Sequence, residues 1–201
     1  MPIERALALS ALQTRFVIDS SDGQNMDTHA VSVASGTFSE QAVHVMQADY
    51  RNPVHGKALV GLLDAYARDP AGGGLPLSEY ARTHLVEALA RRSQAFSVLA
   101  FHGEQAVGLV NCLEGFSTFA CRPLINVHDV AVLSGFRGHR VGERMMLLVE
   151  KIARERGACK LTLEVLEGNA PAARLYQRMG FADYQLDPGM GHARFLQKWL
   201  E

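Results

Sequence analysis

The segment RGHRVG, from Arg137 to Gly142, combines small and basic residues at the point where a helix begins. The first turn of a helix leaves backbone amide protons unpaired and carries about half a positive charge. Gly138 and Gly142 let a ligand approach that backbone closely. Arg137, His139 and Arg140 add side-chain donors, so the segment suits a phosphate or pyrophosphate. An ordinary strand-to-helix turn with exposed basic residues is the alternative that this segment alone leaves open.

A second candidate segment, EGNAPAARLYQRMGF, begins about 30 residues after the first and has the pattern of a capped helix. Asn169 is a helix N-cap type, Pro171 suits the first turn, and Gly180 ends the helix. Tyr176 lies two helical turns after Asn169, so the two residues share one face of the predicted helix. The Asn169 amide and the Tyr176 phenol are therefore expected on the same side of this helix.

Apolar periodicity and turn residues predict the elements that must position these groups. In chain order they are a strand in 42–50, helices in 56–69 and 78–93, a hairpin in 96–116, a central strand in 124–133, a helix in 137–157, a strand in 160–166 and a helix from Asn169. Strands and helices mixed in this way indicate one α/β domain, of the mixed α+β type.

The two candidate segments resemble two motifs of the GCN5-related N-acetyltransferase (GNAT) superfamily. RGHRVG resembles the acyl-CoA pyrophosphate loop, Q/R-x-x-G-x-G/A, and NAPAARLYQRMGF, from Asn169 to Phe181, resembles the motif that follows it, N-x-x-A-x-x-L-Y-x-x-x-G-F. The resemblance covers Ala42 to Leu200, including a closing strand in 192–200, and departs at Arg140, where the family has its first glycine. It implies a central, mostly antiparallel sheet, splayed at the acyl-CoA site, with helices on both faces.

The resemblance implies direct attack of a neutral amine on the thioester of acetyl-CoA, with Tyr176 as the general acid near the sulfur. The residues that it assigns to acyl-CoA are Val130, Ala131, Val132, Arg137, Gly138, His139, Arg140, Val141, Gly142, Asn169 and Tyr176. The Arg140 amide can still bind phosphate, while its guanidinium either reaches the 3′-phosphate of CoA or faces water. A half-buried structural tyrosine is the alternative for Tyr176.

His128 and Asp129, adjacent on the central strand, are the candidates for the catalytic base. Strict alternation would direct them to opposite faces, so that only one reaches the amine. Histidine titrates near neutrality, at a pKa of about 6.5, which suits proton removal, but water is the open alternative. Asp69 and Glu114 are carboxylates that could anchor an ammonium group or be ordinary surface charges.

Composition limits the classes of partner. The chain has 201 residues, 20 basic against 21 acidic side chains and no long apolar run, which excludes the basic footprint of a nucleic-acid binder and predicts no membrane association. Cys112, Cys121 and Cys159 lack a paired spacing, and the start MPIERALALS lacks a signal segment, so we expect the cytoplasm. The eight histidines show no ligand spacing, so we expect no metal.

The sequence therefore predicts an N-terminal extension in 1–41 and a GNAT-like domain in 42–201. The predicted function is acetyl-CoA-dependent N-acetyl transfer to a primary amine of a small molecule. Two alternatives stay open: an acyl-CoA-binding sensor without turnover, and acetylation of protein or peptide amines. The oligomeric state is also left open, with a homodimer as one alternative.

Overall fold

The computed structural model describes residues 43–69, 72–184, 189, 191 and 195–200. The predicted N-terminal extension, residues 1–41, lies outside the described residues, as do Pro70 and Ala71 of the glycine-rich loop. The boundary at Ala42 therefore stays a prediction.

Among the residues that the structure describes, five strands form one sheet and lie side by side in chain order. They are β1 (Val43–Gln47), β2 (Ala95–His102), β3 (Gln105–Ser117), β4 (Arg122–Val132) and β5 (Leu161–Thr162). The first three neighbouring pairs are antiparallel, and only the pair of β4 and β5 is parallel. The predicted β2–β3 hairpin is present, with Gly103 in its turn at φ +57°, a conformation that favours glycine.

Four α-helices of the described part of the chain cover the sheet: α1 (Pro53–Arg68), α2 (Glu79–Ala90), α3 (Val141–Glu155) and α4 (Ala170–Arg178). Three of them begin at a polar side chain that accepts a hydrogen bond from the first-turn backbone, as N-cap residues do. These caps are Asn52 in α1, Ser78 in α2 and Asn169 in α4. The start of α3 differs, because Arg140 occupies the cap position and makes no side-chain cap hydrogen bond.

The helices divide between the two faces of the sheet. On the first face, α1 and α2 pack over a cluster that contains Leu59, Leu99, Leu109 and Ala131. On the second face, α3 and α4 pack over a larger cluster that includes Met145, Val149, Leu175, Val110 and Val130. Side chains of β2, β3 and β4 thus alternate between two apolar layers, which explains why these strands read as nearly continuous apolar runs. The predicted fold class, a mixed α/β domain with a mostly antiparallel sheet, is confirmed.

Gly108 of β3 brings the first turns of α3 close to the sheet. A β-carbon at this position would lie 2.8 Å from Met145 Cε and 3.2 Å from Val141 Cγ1. Arg144 adds a second tie, since its Nη2 donates to the carbonyl oxygen of Val43 at 2.6 Å. The beginning of α3 is therefore held against the sheet from β1 to β3.

Two predicted strands differ from the structure. A strand was expected across 160–166, but β5 consists of Leu161 and Thr162 alone. The apolar side chains that follow, Val165 and Leu166, are exposed at 37% and 38%, so burial does not hold that segment against β4. Of the closing strand expected in 192–200, the described part, residues 195–200, has no strand conformation.

Candidate active site

β4 and β5 separate soon after they meet. Their paired residues are Ile125 with Leu161 and Asn126 with Thr162, and no further pair forms between them in the part of the chain that the structure describes. At the last paired position Asn126 Nδ2 lies 3.4 Å from Thr162 Oγ1. From His128 onward, no strand of the described residues pairs with this edge of β4, and its backbone groups there can bind another molecule.

A bulge in β4 lies where this opening begins. Asn111 of β3 pairs with Asp129, but the next residue, Cys112, pairs with Val127, so His128 is an extra residue on β4. The predicted alternation of His128 and Asp129 is therefore wrong, because a bulge breaks the two-residue period of a strand. His128 Nδ1 lies 3.3 Å from Asn126 Oδ1, beside the last pair with β5.

Asp129 ends a row of polar side chains on the α1/α2 face. Asn111 Nδ2 donates to Asp129 Oδ2 at 3.0 Å, and Ser97 Oγ donates to Asn111 Oδ1 at 2.6 Å. The hydroxyl of Tyr50 lies 2.9 Å from Ser97 Oγ. Burial raises the pKa of the Asp129 carboxyl above its ordinary value, and the hydrogen bond from Asn111 and the charge of His128 oppose that rise.

The sequence analysis missed Asn111, Ser97 and Tyr50. A signal for two of them was present, since Ser97 and Asn111 are single polar residues within the apolar strands FSVLAF and GLVNCL. A polar side chain inside such a strand needs a partner on its own face, and cross-strand neighbours are the nearest candidates.

The segment between β4 and α3 has the backbone of a ligand-binding turn. It begins with a 3-10 turn, Ser134–Phe136. Gly138 follows at φ +80° and Arg140 at φ +57°, both in the left-handed region. Glycine is favoured there, which explains why the related motif has glycine at the position of Arg140. The helix expected in 137–157 begins at Val141, so the first amides of α3 point out of this turn.

The Arg137 side chain holds this turn in place. Its Nε donates to the carbonyl oxygen of Val132 at 3.0 Å, and its Nη2 donates to Asp69 Oδ2 at 3.1 Å. The guanidinium thus joins the end of β4 to the end of α1. Asp69, predicted as an ammonium anchor, is engaged in this ion pair.

Glu114, the other predicted anchor, lies apart from Asp129. Its Oε2 accepts a hydrogen bond from Arg156 Nη1 at 3.1 Å, and the same guanidinium lies 4.5 Å from the ring centroid of Phe96. Phe96 belongs to the cluster under α3 and α4. The structure therefore brings Glu114 to the face of the sheet opposite to Asp129.

Tyr176 lies on the α3/α4 face and is 2% exposed. Its ring packs against Phe181 at a centroid distance of 5.7 Å. Burial raises the pKa of the Tyr176 phenol well above its ordinary value, so the hydroxyl keeps its proton at neutral pH. Asp129 and Tyr176 thus lie on the two opposite faces of the sheet.

The remaining predicted cofactor contacts are residues at the end of β4 and the cap of α4. The side chains of Val130, Ala131 and Val132 are buried in the two apolar clusters, so only their backbone can contact a ligand. Asn169 uses Oδ1 for its cap, whereas its buried Nδ2 has no hydrogen-bond partner among the described residues. An unpaired buried donor beside the start of α4 fits a bound polar group at this place.

Other kinds of site were sought in the same residues. Across the described ranges, no group of three or more His, Cys, Asp or Glu side chains lies close enough to hold a metal ion. None of the helices described is long and apolar enough to cross a membrane.

Several solved structures with the same fold are acetyltransferases by their descriptions. A probable acetyltransferase has a TM-score of 0.66 and 22% identity, with 79% of this chain and 99% of that chain covered. The enzyme AAC(6′)-Iy, solved with the bisubstrate analogue CoA-S-monomethyl-acetylneamine, has a TM-score of 0.63 and 16% identity, with 79% and 99% covered. At these identities the likeness establishes the fold.

The sequence establishes the family. The profile of the Acetyltransferase (GNAT) family matches residues 59–181, and the chain belongs to this family. Streptothricin acetyltransferase from Streptomyces lavendulae is 41% identical over 88 residues, which are 42% of this chain and 47% of that protein. The match thus spans about half the length of this curated relative. The predicted family and enzyme class are confirmed.

Replacing Arg140 by glycine is expected to stabilise the fold. A residue with a β-carbon pays about 1 kcal/mol in the left-handed region, and the greater freedom of glycine in the unfolded chain offsets part of the gain. We expect the free energy of unfolding to rise by about 0.5 kcal/mol in Arg140→Gly, measured by urea denaturation. Arg140→Ala, which keeps the β-carbon, is the control. Equal stability of the two variants would contradict the prediction.

Proposed function

We propose that this chain transfers the acetyl group of acetyl-CoA to a primary amine of a small, cationic molecule. The observation that carries the proposal is the opening between β4 and β5 in a sheet that has the Asp129 carboxylate on one face and the Tyr176 phenol on the other. Acyl transfer to an amine needs a group that removes a proton from the nucleophile and a group that protonates the leaving sulfur. The two faces of the sheet supply one each.

The binding site proposed for CoA consists of the start of α3 and the open edge of β4. The backbone amides between Gly138 and Gly142 and the dipole of α3 favour the pyrophosphate. The backbone of Val130 to Val132 would bind the pantetheine arm, with one amide near the thioester oxygen. The buried Nδ2 of Asn169 is a further donor for that arm. Arg140, exposed at the same turn, keeps both alternatives for its guanidinium, the 3′-phosphate or water.

The proton of the acceptor ammonium would pass to Asp129. Its carboxyl is half-buried, and burial raises its pKa toward the range in which a base works near neutrality. Only one of its oxygens, Oδ2, accepts a hydrogen bond from the described residues. Oδ1 would receive the ammonium proton, and the freed lone pair of the amine would form the bond to the thioester carbon. His128, on the same bulge, is the alternative base.

The second proton transfer belongs to Tyr176. As the carbon–sulfur bond breaks, its hydroxyl would donate a proton to the departing CoA sulfur. The raised pKa of the phenol supports this direction, since the group is neutral before the transfer. Loss of the second nitrogen proton to solvent gives the neutral amide, return of a proton from solvent restores the phenol, and loss of the proton from Asp129 completes the cycle. A sensor that only bound acyl-CoA would need neither group.

The acceptor is proposed to be a small amine for two reasons. Asp129 is half-buried between the sheet and the layer of α1 and α2, which suits a narrow entrance more than a protein surface. The curated relative acts, by its name, on streptothricin, and a neighbouring structure holds an acetylneamine group. Both are small molecules, and they support this class of acceptor over protein amines.

We also propose that the chain works in the cytoplasm. The free cysteines of the described residues are Cys112, Cys121 and Cys159, and the first of these is buried. Burial raises the pKa of the Cys112 thiol, which keeps it protonated and unreactive. Unpaired thiols suit a reducing compartment.

Replacing Tyr176 by phenylalanine tests the general acid. The variant keeps the ring and its packing on Phe181 but removes the proton donor. We expect kcat and kcat/KM to fall together by about 100-fold or more, with little change in acetyl-CoA affinity. Release of free CoA gives the rates, and calorimetry gives the affinity. Normal turnover in Tyr176→Phe, with a changed melting temperature alone, would make the tyrosine structural.

Replacing each candidate base in turn tests the first proton transfer. Asp129→Asn keeps an oxygen that accepts from Asn111 but lacks a base, so kcat/KM for the amine should fall by about 100-fold or more. In the wild type that rate should fall as the pH drops through the pKa of Asp129, because the protonated carboxyl accepts no proton. This acidic limb should disappear in Asp129→Asn.

His128→Gln is the matched variant, since it changes the neighbouring residue of the same bulge. We expect it to keep the acidic limb and most of the rate, measured with one acceptor throughout. A limb that vanishes in His128→Gln and survives in Asp129→Asn would transfer the role of base to the histidine.

A further inference from the structure

Four side chains form a continuous hydrogen-bonded row across the sheet. Tyr50 follows β1, Ser97 lies on β2, Asn111 on β3 and Asp129 on β4. The three strand residues are directly opposite one another in the sheet register. Their contacts measure 2.9 Å from the Tyr50 hydroxyl to Ser97 Oγ, 2.6 Å from Ser97 Oγ to Asn111 Oδ1 and 3.0 Å from Asn111 Nδ2 to Asp129 Oδ2.

The carboxylate fixes the direction of every donor in this row. An ionised Asp129 can only accept, so Asn111 must present its amide nitrogen to it. The Asn111 oxygen then faces Ser97, which must donate its hydroxyl proton there. Ser97 Oγ is left to accept from the Tyr50 hydroxyl. Each of the three side chains is therefore oriented by the next, and the row ends at the charged group.

The row interrupts an apolar layer. Ser97 is 0% and Asn111 is 7% exposed, and Leu99, Leu109 and Ala131 of the same face belong to the apolar cluster under α1 and α2. Burying such groups costs free energy that their mutual hydrogen bonds only balance, so apolar residues of the same shape would serve stability equally well. Stability therefore gives no reason for polar residues here, whereas the orientation of Asp129 does.

We propose that Asn111, oriented by Ser97 and Tyr50, is a positioning residue that holds Asp129 Oδ2 and leaves Oδ1 directed to the acceptor amine. The proposal rests on the proposed function, in which Asp129 is the base. It adds three residues to the site, none of which belongs to the predicted motifs. Asn111 acts through Asp129 and touches neither substrate.

The hydrogen bond from Asn111 also tunes Asp129. A donor to the ionised carboxylate lowers its pKa and so opposes the effect of burial. The other titratable groups around it are His128 on β4, the thiol of Cys112 on β3, and Tyr66 of α1, which packs on the cluster of the same face. Of these groups, His128 lowers the pKa of Asp129 through its charge, as Asn111 does through its hydrogen bond.

Asn111→Leu removes the donor while keeping the side chain close in volume. We expect the pKa of Asp129, followed by carbon NMR of its labelled carboxyl, to rise by about one unit. The acidic limb of kcat/KM should move to higher pH by the same amount, and kcat/KM above the limb should fall by about ten-fold or more, because the carboxylate is less well oriented. Acetyl-CoA affinity should not change.

Ser97→Ala is the matched variant within the row. It removes the group that orients the Asn111 amide but leaves the donor to Asp129. The rise in the pKa of Asp129 and the movement of the acidic limb should therefore have the same sign as in Asn111→Leu and be smaller. If Asn111→Leu fails to fold, Asn111→Ala, which also removes the donor, takes its place. In an Asp129→Asn background, Asn111→Leu should change kcat/KM by less than about two-fold, because coupled residues do not add.

The outcomes separate this proposal from the proposed function. A folded Asn111→Leu with an unchanged Asp129 pKa and unchanged limb overturns the positioning role, whatever its melting temperature. Low activity in Asp129→Asn beside full activity in Asn111→Leu also overturns it and leaves the proposed function standing. Full activity in Asp129→Asn overturns the base assignment and the positioning proposal together. A wild type without turnover overturns the proposed function, and the NMR titration alone then decides whether Asn111 controls Asp129.

Discussion

The backbone groups along one edge of β4 from His128 to Val132 have no strand partner among the described residues, and the arrangement of the site follows from that. Such groups need hydrogen bonds, from water or from a ligand. The chain that leaves β5 at Thr162 forms no further pair with β4 in the described residues and enters α4 through the Asn169 cap. Tyr176 of α4 lies in the apolar cluster on the α3/α4 face. The end of β4 leads into the turn before α3, which the Arg137 guanidinium ties to the Val132 carbonyl. A helix start thus follows the end of β4, and a phenol lies on one face of the same sheet.

The site also depends on the bulge at His128, because the bulge determines which side chains of β4 reach the opening. The extra residue reverses the faces of β4, so that Val127 joins the α3/α4 cluster while Asp129 turns to the α1/α2 face. There Asn111, which lies opposite Asp129 in the sheet register, donates a hydrogen bond to its carboxylate. The proposed acid and the proposed CoA site therefore lie on one face of the sheet, and the proposed base lies on the other. Two reactants could then approach the opening from opposite sides without crossing.

Local signals in the sequence predicted much of this structure. The caps Ser78 and Asn169, the β2–β3 hairpin and the left-handed Gly157 after α3 each depend on a few neighbouring residues. The bulge had no such signal, because one extra residue in the run VHDVAV leaves its apolar character unchanged. The Arg137–Asp69 pair joins residues 68 positions apart, so no local pattern indicates it. The short β5 was missed because apolar residues after Thr162 resembled a buried strand.

A crystal structure with CoA bound tests the central claim, that the opening between β4 and β5 is the acyl-CoA site. The account predicts the pyrophosphate about 3 Å from backbone nitrogens between Gly138 and Gly142. It also predicts the pantetheine arm along the unpaired edge of β4 at Val130 to Val132, with the sulfur at the Tyr176 hydroxyl. CoA bound on another surface, or the segment after Thr162 paired with β4 as far as Val132, would contradict it.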